Sequence, residues 1–123
     1  MKVNIGKYRR TSSANRHIKV TIDDWDTWSL DHTLALIIHP ALIAFKEHMH
    51  GYPADLITNN DDSDAGFEAW KIIIDKMIFA FTNIIDTTWE EQFYSDEIGY
   101  KEYDARIQEG LDLFSKYFRS LWD

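Results

Sequence analysis

Residues 67–85 constrain this chain most. Phe67, Trp70, Ile74, Met77, Ile78, Phe81 and Ile85 recur at the spacing of one helix face. Ile72, Ile73, Phe79 and Ile84 widen that face, leaving Glu68, Lys71, Asp75 and Thr82 as a narrow polar stripe. A helix that is apolar nearly all round has to be covered, either by other elements of its chain or by another molecule.

Two further segments repeat the helical period. In residues 29–50 the apolar positions are Leu30, Leu34, Ile37, Ile38, Ala41, Phe45 and Met49. Pro40 lacks the amide proton the ladder needs, which predicts a kink near residues 36–40 or a break at His39. Gly51-Tyr52-Pro53 then stops the element. In residues 100–122 the buried face is Tyr103, Ile107, Gly110, Leu111, Phe114, Phe118 and Leu121. Glu102–Arg106 and Asp112–Lys116 have favourable spacing on the outer face. Gly110 costs about 1 kcal/mol against alanine in a helix interior, and a close helix crossing would account for it.

The first 22 residues change period. Lys2-Val3-Asn4-Ile5 and His17-Ile18-Lys19-Val20-Thr21-Ile22 alternate polar and apolar, as half-buried strands do. A polar link from Arg10 to Asn15 joins them. The expected fold class is therefore α+β, one domain over residues 1–123. A β-hairpin arm (1–22) precedes a bundle of three main helices (29–50, 67–85 and 100–122). A lone hairpin is marginal in water, and both its edges are open. With the apolar helix at 67–85, this predicts a homo-oligomer.

Charge divides along the same line. The first 22 residues hold six of the 13 bases and no acid, while the rest of the chain sets 21 acids against seven bases. A basic arm can contact nucleic acid. Here an acidic body repels phosphate, so pairing with that body, in the same chain or a neighbour, is the better reading. The chain has no cysteine, which excludes disulfides and thiolate chemistry. Its start does not read as a signal peptide, and no apolar stretch approaches the ~20 residues of a membrane span.

Two loops separate the helices. Residues 54–66 are acidic, but placing Gly66 at the sixth position of a calcium loop puts Ile72 at the twelfth, where a carboxylate is required. A solvated loop with a helix cap at Asp64 fits better. Residues 86–99 form the second loop, in which Trp89 and Phe93 are expected to pin a short turn to the core.

The candidate site is the acidic-aromatic knot Asp24-Trp25-Asp26-Thr27-Trp28 and the helix start after it. Ser29 is the expected N-cap, with Asp26 competing, and Asp31 suits the positive end of the helix dipole. Trp25 and Trp28 are expected as buried anchors. The functional alternative makes them a stacking platform, with Asp31 and His32 completing a ligand or nucleotide pocket. His32, His39 and His50 share one helix face but lie about 10 and 16 Å apart along the axis, too far for one metal ion. A divalent-metal site would have to combine Asp31 and His32 with Glu68 and Asp75 from another helix. Otherwise His32 and His39 are core-edge residues whose nitrogens find backbone or carboxylate partners. Glu90-Glu91 with Glu68 and Asp75 only loosely echo the paired acids of helical nucleotide pyrophosphatases. No nucleophile elbow, phosphate-binding loop or dinucleotide fingerprint occurs.

Lys19-Val20-Thr21-Ile22-Asp23, then Asp26-Thr27-Trp28-Ser29-Leu30-Asp31-His32-Thr33-Leu34-Ala35, resembles the signature of a family of uncharacterised tailed-bacteriophage proteins. Ile37-Ile38-His39-Pro40 and His50-Gly51-Tyr52-Pro53 are similar to its next motifs, and Trp70, Trp89-Glu90 and Arg106-Ile107-Gln108-Glu109-Gly110 to later ones. The resemblance spans most of the chain. Longer relatives carry an insertion after the first strand that this chain lacks. The resemblance implies a phage protein acting in the cytoplasm of an infected bacterium or in the virion, and implies no activity.

Three functions follow as expectations. The first is a non-enzymatic accessory or structural module that binds a host or phage macromolecule. The second is a small-ligand binder at Trp25, Trp28, Asp31 and His32. The third is a metal-dependent hydrolase using Asp31, His32, Glu68 and Asp75.

Overall fold

The computed structural model describes residues 1–8, 16–57 and 63–122. Strands β1 (Lys2–Asn4) and β2 (Lys19–Thr21) pair antiparallel, with Val3 opposite Val20. Gly6 takes a left-handed φ of +76°, and a Cβ there would press on the His17 backbone. Arg16 closes the same end, its Nη2 donating to the Gly6 carbonyl at 2.9 Å. The expected hairpin is present. Its link at 10–15 lies outside the described residues, as do residues 58–62 of the acidic loop.

A 3-10 turn (Asp24–Thr27) leads into helix α1 (Leu30–His48), which continues unbroken through Pro40. Then come a 3-10 turn (Ala54–Leu56), α2 (Ser63–Ile85), the one-turn α3 (Trp89–Gln92), α4 (Glu97–Tyr117) and a last 3-10 turn (Phe118–Ser120). Two compact units emerge, Met1–Thr33 and Leu34–Asp123.

In the larger unit α2 is the central element. Trp70, Ile74 and Met77 are its fully buried large side chains, and Phe45, Tyr117 and Phe114 pack edge-on against Trp70, Trp70 and Phe81 respectively. Ile72 departs from the expected face and lies more than half exposed. The crossing of α2 and α4 explains Gly110: a Cβ there would collide with the Lys76 carbonyl oxygen and lie 2.6 Å from Ala80 Cβ. Lys46–Asp75 and Lys76–Glu109, both at 2.6 Å, tie α1 and α4 to α2 at the surface. Trp89 is buried as expected, stacked on Tyr103 at 4.8 Å.

Two helices begin earlier than their periodicity indicates. α4 starts at Glu97 rather than 100, because Asp96 caps it by accepting from the Gly99 amide at 2.9 Å. α2 starts at Ser63 rather than 67. This places Asp64 inside the first turn rather than at the cap. The missing side chain of Gly66 makes room there for the Tyr52 ring, which a Cβ would approach to 2.5 Å. At the other ends, α1 stops at His48 and α4 gives way to the 3-10 turn at Phe118.

Candidate functional site

In the first unit the acidic-aromatic knot is wound around Asp26, the buried polar residue among those described. Asp26 Oδ2 accepts from the Asp23 amide at 2.7 Å and meets the Met1 ammonium at 2.8 Å. These contacts hold its carboxyl below the usual carboxylate range, the ammonium contributing most, and Asp26 in turn raises the Met1 amine. Asp26 thus folds the turn and is not the cap of α1. Ser29 serves the helix start through its carbonyl, which accepts from the Thr33 amide at 3.1 Å. Thr33 Oγ1 donates to the Asp26 carbonyl at 3.0 Å, linking turn to helix.

This arrangement overturns the expectation that Trp25 and Trp28 are buried anchors. They are 61% and 80% exposed. The inward position of the short turn is occupied by the Asp26 carboxylate and its ammonium partner, so the indoles point to solvent. Asp31 is exposed and His32 half-buried.

The hairpin shows the same exposure. Alternation along β2 places Ile18, Val20 and Ile22 on one side, and the register puts Val3 on that side too. All four are between 42% and 65% exposed. This is an amphipathic hairpin with an open apolar face. Along α1, Leu30, Leu34 and Ile37 repeat at helical spacing and are each about 40% exposed.

Of the four residues considered for a metal, the two on α2 are engaged in ion pairs. Asp75 pairs with Lys46, and Glu68 with Lys71 at 3.3 Å. Among the described residues no group of three or more His, Asp or Glu side chains is placed to hold a metal ion. His39 is a core-edge residue, but its partner is a hydroxyl rather than the expected backbone group or carboxylate. Its Nε2 lies 2.9 Å from Thr82 Oγ1, and that hydroxyl donates its proton to the Ile78 carbonyl. Nε2 therefore carries the hydrogen and donates to Thr82. No helix among the described residues is long and apolar enough to cross a membrane.

One feature of the larger unit went unread in the sequence. Gly51 to Asp55, Trp70, Ser120 and Trp122 line a cavity of roughly 570 Å3. Tyr117 Oη donates to Asp55 Oδ2 at 2.8 Å beside it. Burial, then Asp55, raises the Tyr117 hydroxyl above its ordinary value. Gly51-Tyr52-Pro53 signals a helix stop and Trp122 the end of a helix, and nothing in either stretch shows that they meet.

No family model, no curated protein and no solved structure matches this chain.

Proposed function

We propose that this chain is a non-enzymatic phage accessory or structural module, self-associated, that binds a phage or host macromolecule through its N-terminal apolar face. The observation that carries this reading is the exposure of Val3, Ile18, Val20, Ile22, Trp25 and Trp28. Monomeric proteins rarely leave so many large apolar groups of one small unit in water, and such surfaces mark interaction sites. Tryptophans are also the side chains most often found at energetic hot spots of interfaces. The phage setting rests on the signature around Asp26 to Ala35.

The test is native mass spectrometry of the untagged chain, with a photoreactive residue at position 28 in parallel. The expected result is a complex at a multiple of 14.5 kDa that the double variant Ile18→Ser, Trp28→Ser converts to monomer. A monomeric parent chain that also cross-links to no macromolecule would remove the basis of the reading.

The solvent-facing indoles favour a second reading, a ligand stacked on Trp25 or Trp28 beside Asp31 and His32. A nucleotide panel that quenches the parent but not Trp28→Ala would select it over the first.

A further inference from the structure

Helix α1 carries more apolar surface than its own core uses. Ala35 and Leu42 are buried in the core of the larger unit. A second set, Leu34, Ile37, Ala41 and Ala44, lies on another side of the same helix and is exposed, Leu34 at 42% and Ile37 at 40%. Its intervals of three, four and three residues are those of the a and d positions of a coiled-coil seam. Because α1 runs unbroken through Pro40, the spacing holds in the folded helix. No charged residue occurs between Asp31 and Lys46. Beside the seam, Ile37, Ala41 and Phe45 line a groove of roughly 290 Å3 with Phe114, Phe118 and Leu121, and every residue of that lining is apolar.

We propose that this seam packs antiparallel against the α1 seam of a second copy of the chain. The occupant is set by the order of sizes along the seam, in which two large side chains are followed by two small ones. In a two-fold antiparallel pair, Leu34 meets Ala44 of the second copy and Ile37 meets its Ala41, and the reverse. Leucine and isoleucine have the same number of carbons, so all four layers carry equal volume and the two axes can keep one close separation. A parallel pair would set large on large at one end and small on small at the other, which leaves the alanine end unpacked. The antiparallel order also brings the positive end of each helix near the negative end of the other. With no charge along the seam, neither copy has to desolvate an ion to form it. Four layers span only about 15 Å at 1.5 Å per residue, shorter than the three or more heptads of a self-sufficient coiled coil. The seam therefore rests on the self-association proposed above and adds a second contact to it, within the larger unit.

The chain has no cysteine, so single cysteines in the full chain report the register directly. Ile37→Cys and Ala41→Cys chains are mixed and joined with a short bismaleimide, beside native mass spectrometry of the parent. The product linking position 37 to position 41 should outnumber the 37–37 and 41–41 products together severalfold. Leu36→Cys, at an exposed position off the seam, should give little product. Ala41→Ile puts large on large in the two central layers and should weaken the complex about tenfold. Adding Ile37→Ala to the same chain restores large on small and should recover most of that loss. A contact that merely hides apolar surface would instead tighten with Ala41→Ile. Predominant 37–37 and 41–41 products, a tighter Ala41→Ile complex, or an oligomeric parent whose seam cysteines link no better than Leu36→Cys would each overturn the proposal and leave the self-association reading in place. A monomeric parent would remove both.

Discussion

Asp26 shows how a residue suited to one role is taken by another. An acid just before a helix reads as a cap, but this carboxylate turns back to the Asp23 amide and the Met1 ammonium. That choice leaves Trp25 and Trp28 in solvent, so one carboxylate determines what the first unit exposes. It also predicts a pH window. The Asp26 carboxyl is lowered from 3.8, so its contribution is complete above the unfolded value and is lost as pH falls through the lower folded one. The Met1 amine is raised from 8.0, so its contribution is complete below that value and is lost as pH rises through the higher folded one. The turn is therefore tightest between about pH 4 and 8. The Asp23 amide signal, followed by NMR, should titrate once below 3.8 and once above 8.0, and Asp26→Asn should remove both steps. An amide signal insensitive to alkaline pH would show that the ammonium does not hold the turn.

The helices were legible in the sequence where packing dictates periodicity, and less so where single contacts set the ends. The buried faces of α2 and α4, apart from Ile72 and from Phe118, which is exposed in the final 3-10 turn, the anchoring of Trp89 and the glycine at the helix crossing follow from spacing, because packed helices admit few arrangements of such faces. The early start of α4 depends on Asp96 capping Gly99, a contact that only folded geometry specifies. The lining of the cavity was hidden for the same reason, since its parts are some 70 residues apart in the chain. The helix crossing supplies a sharp test. Gly110→Ala gains about 1 kcal/mol of helix propensity. It loses about 1–3 kcal/mol to overpacking, because the obstacle is the Lys76 backbone, which cannot rotate away. The obstacle is backbone, so the loss should win, giving a net destabilisation of up to about 2 kcal/mol in urea unfolding. Gly51→Ala is the matched control. A Cβ there meets nothing within 4 Å, and the variant should be neutral or up to about 1 kcal/mol more stable. Equal behaviour of the two variants would mean that the crossing is not close-packed.

The two units differ in what sustains them. The larger has a core centred on Trp70, Ile74 and Met77. The smaller has two three-residue strands, every residue of them exposed, and a turn closed by ion pairing. A two-stranded hairpin is marginal on its own. Its apolar side gains roughly 25 cal/mol for each Å2 removed from water, so a covering molecule would stabilise it directly. If the cover is a second copy, basic arm against acidic body, hairpin stability must depend strongly on protein concentration, and that of the larger unit, which has its own core, only weakly. Amide exchange separates the two. Protection at Val3 and Val20 should rise severalfold over a hundredfold increase in concentration, and protection at Ile74 and Ile107 should rise far less. The rise should shrink in high salt if charge pairing guides the contact, because exposed charges are screened beyond a Debye length of about 3 Å at 1 M. Hairpin protection that is strong and independent of concentration would mean that the apolar face is satisfied within one chain, and self-association would then lose its physical motive.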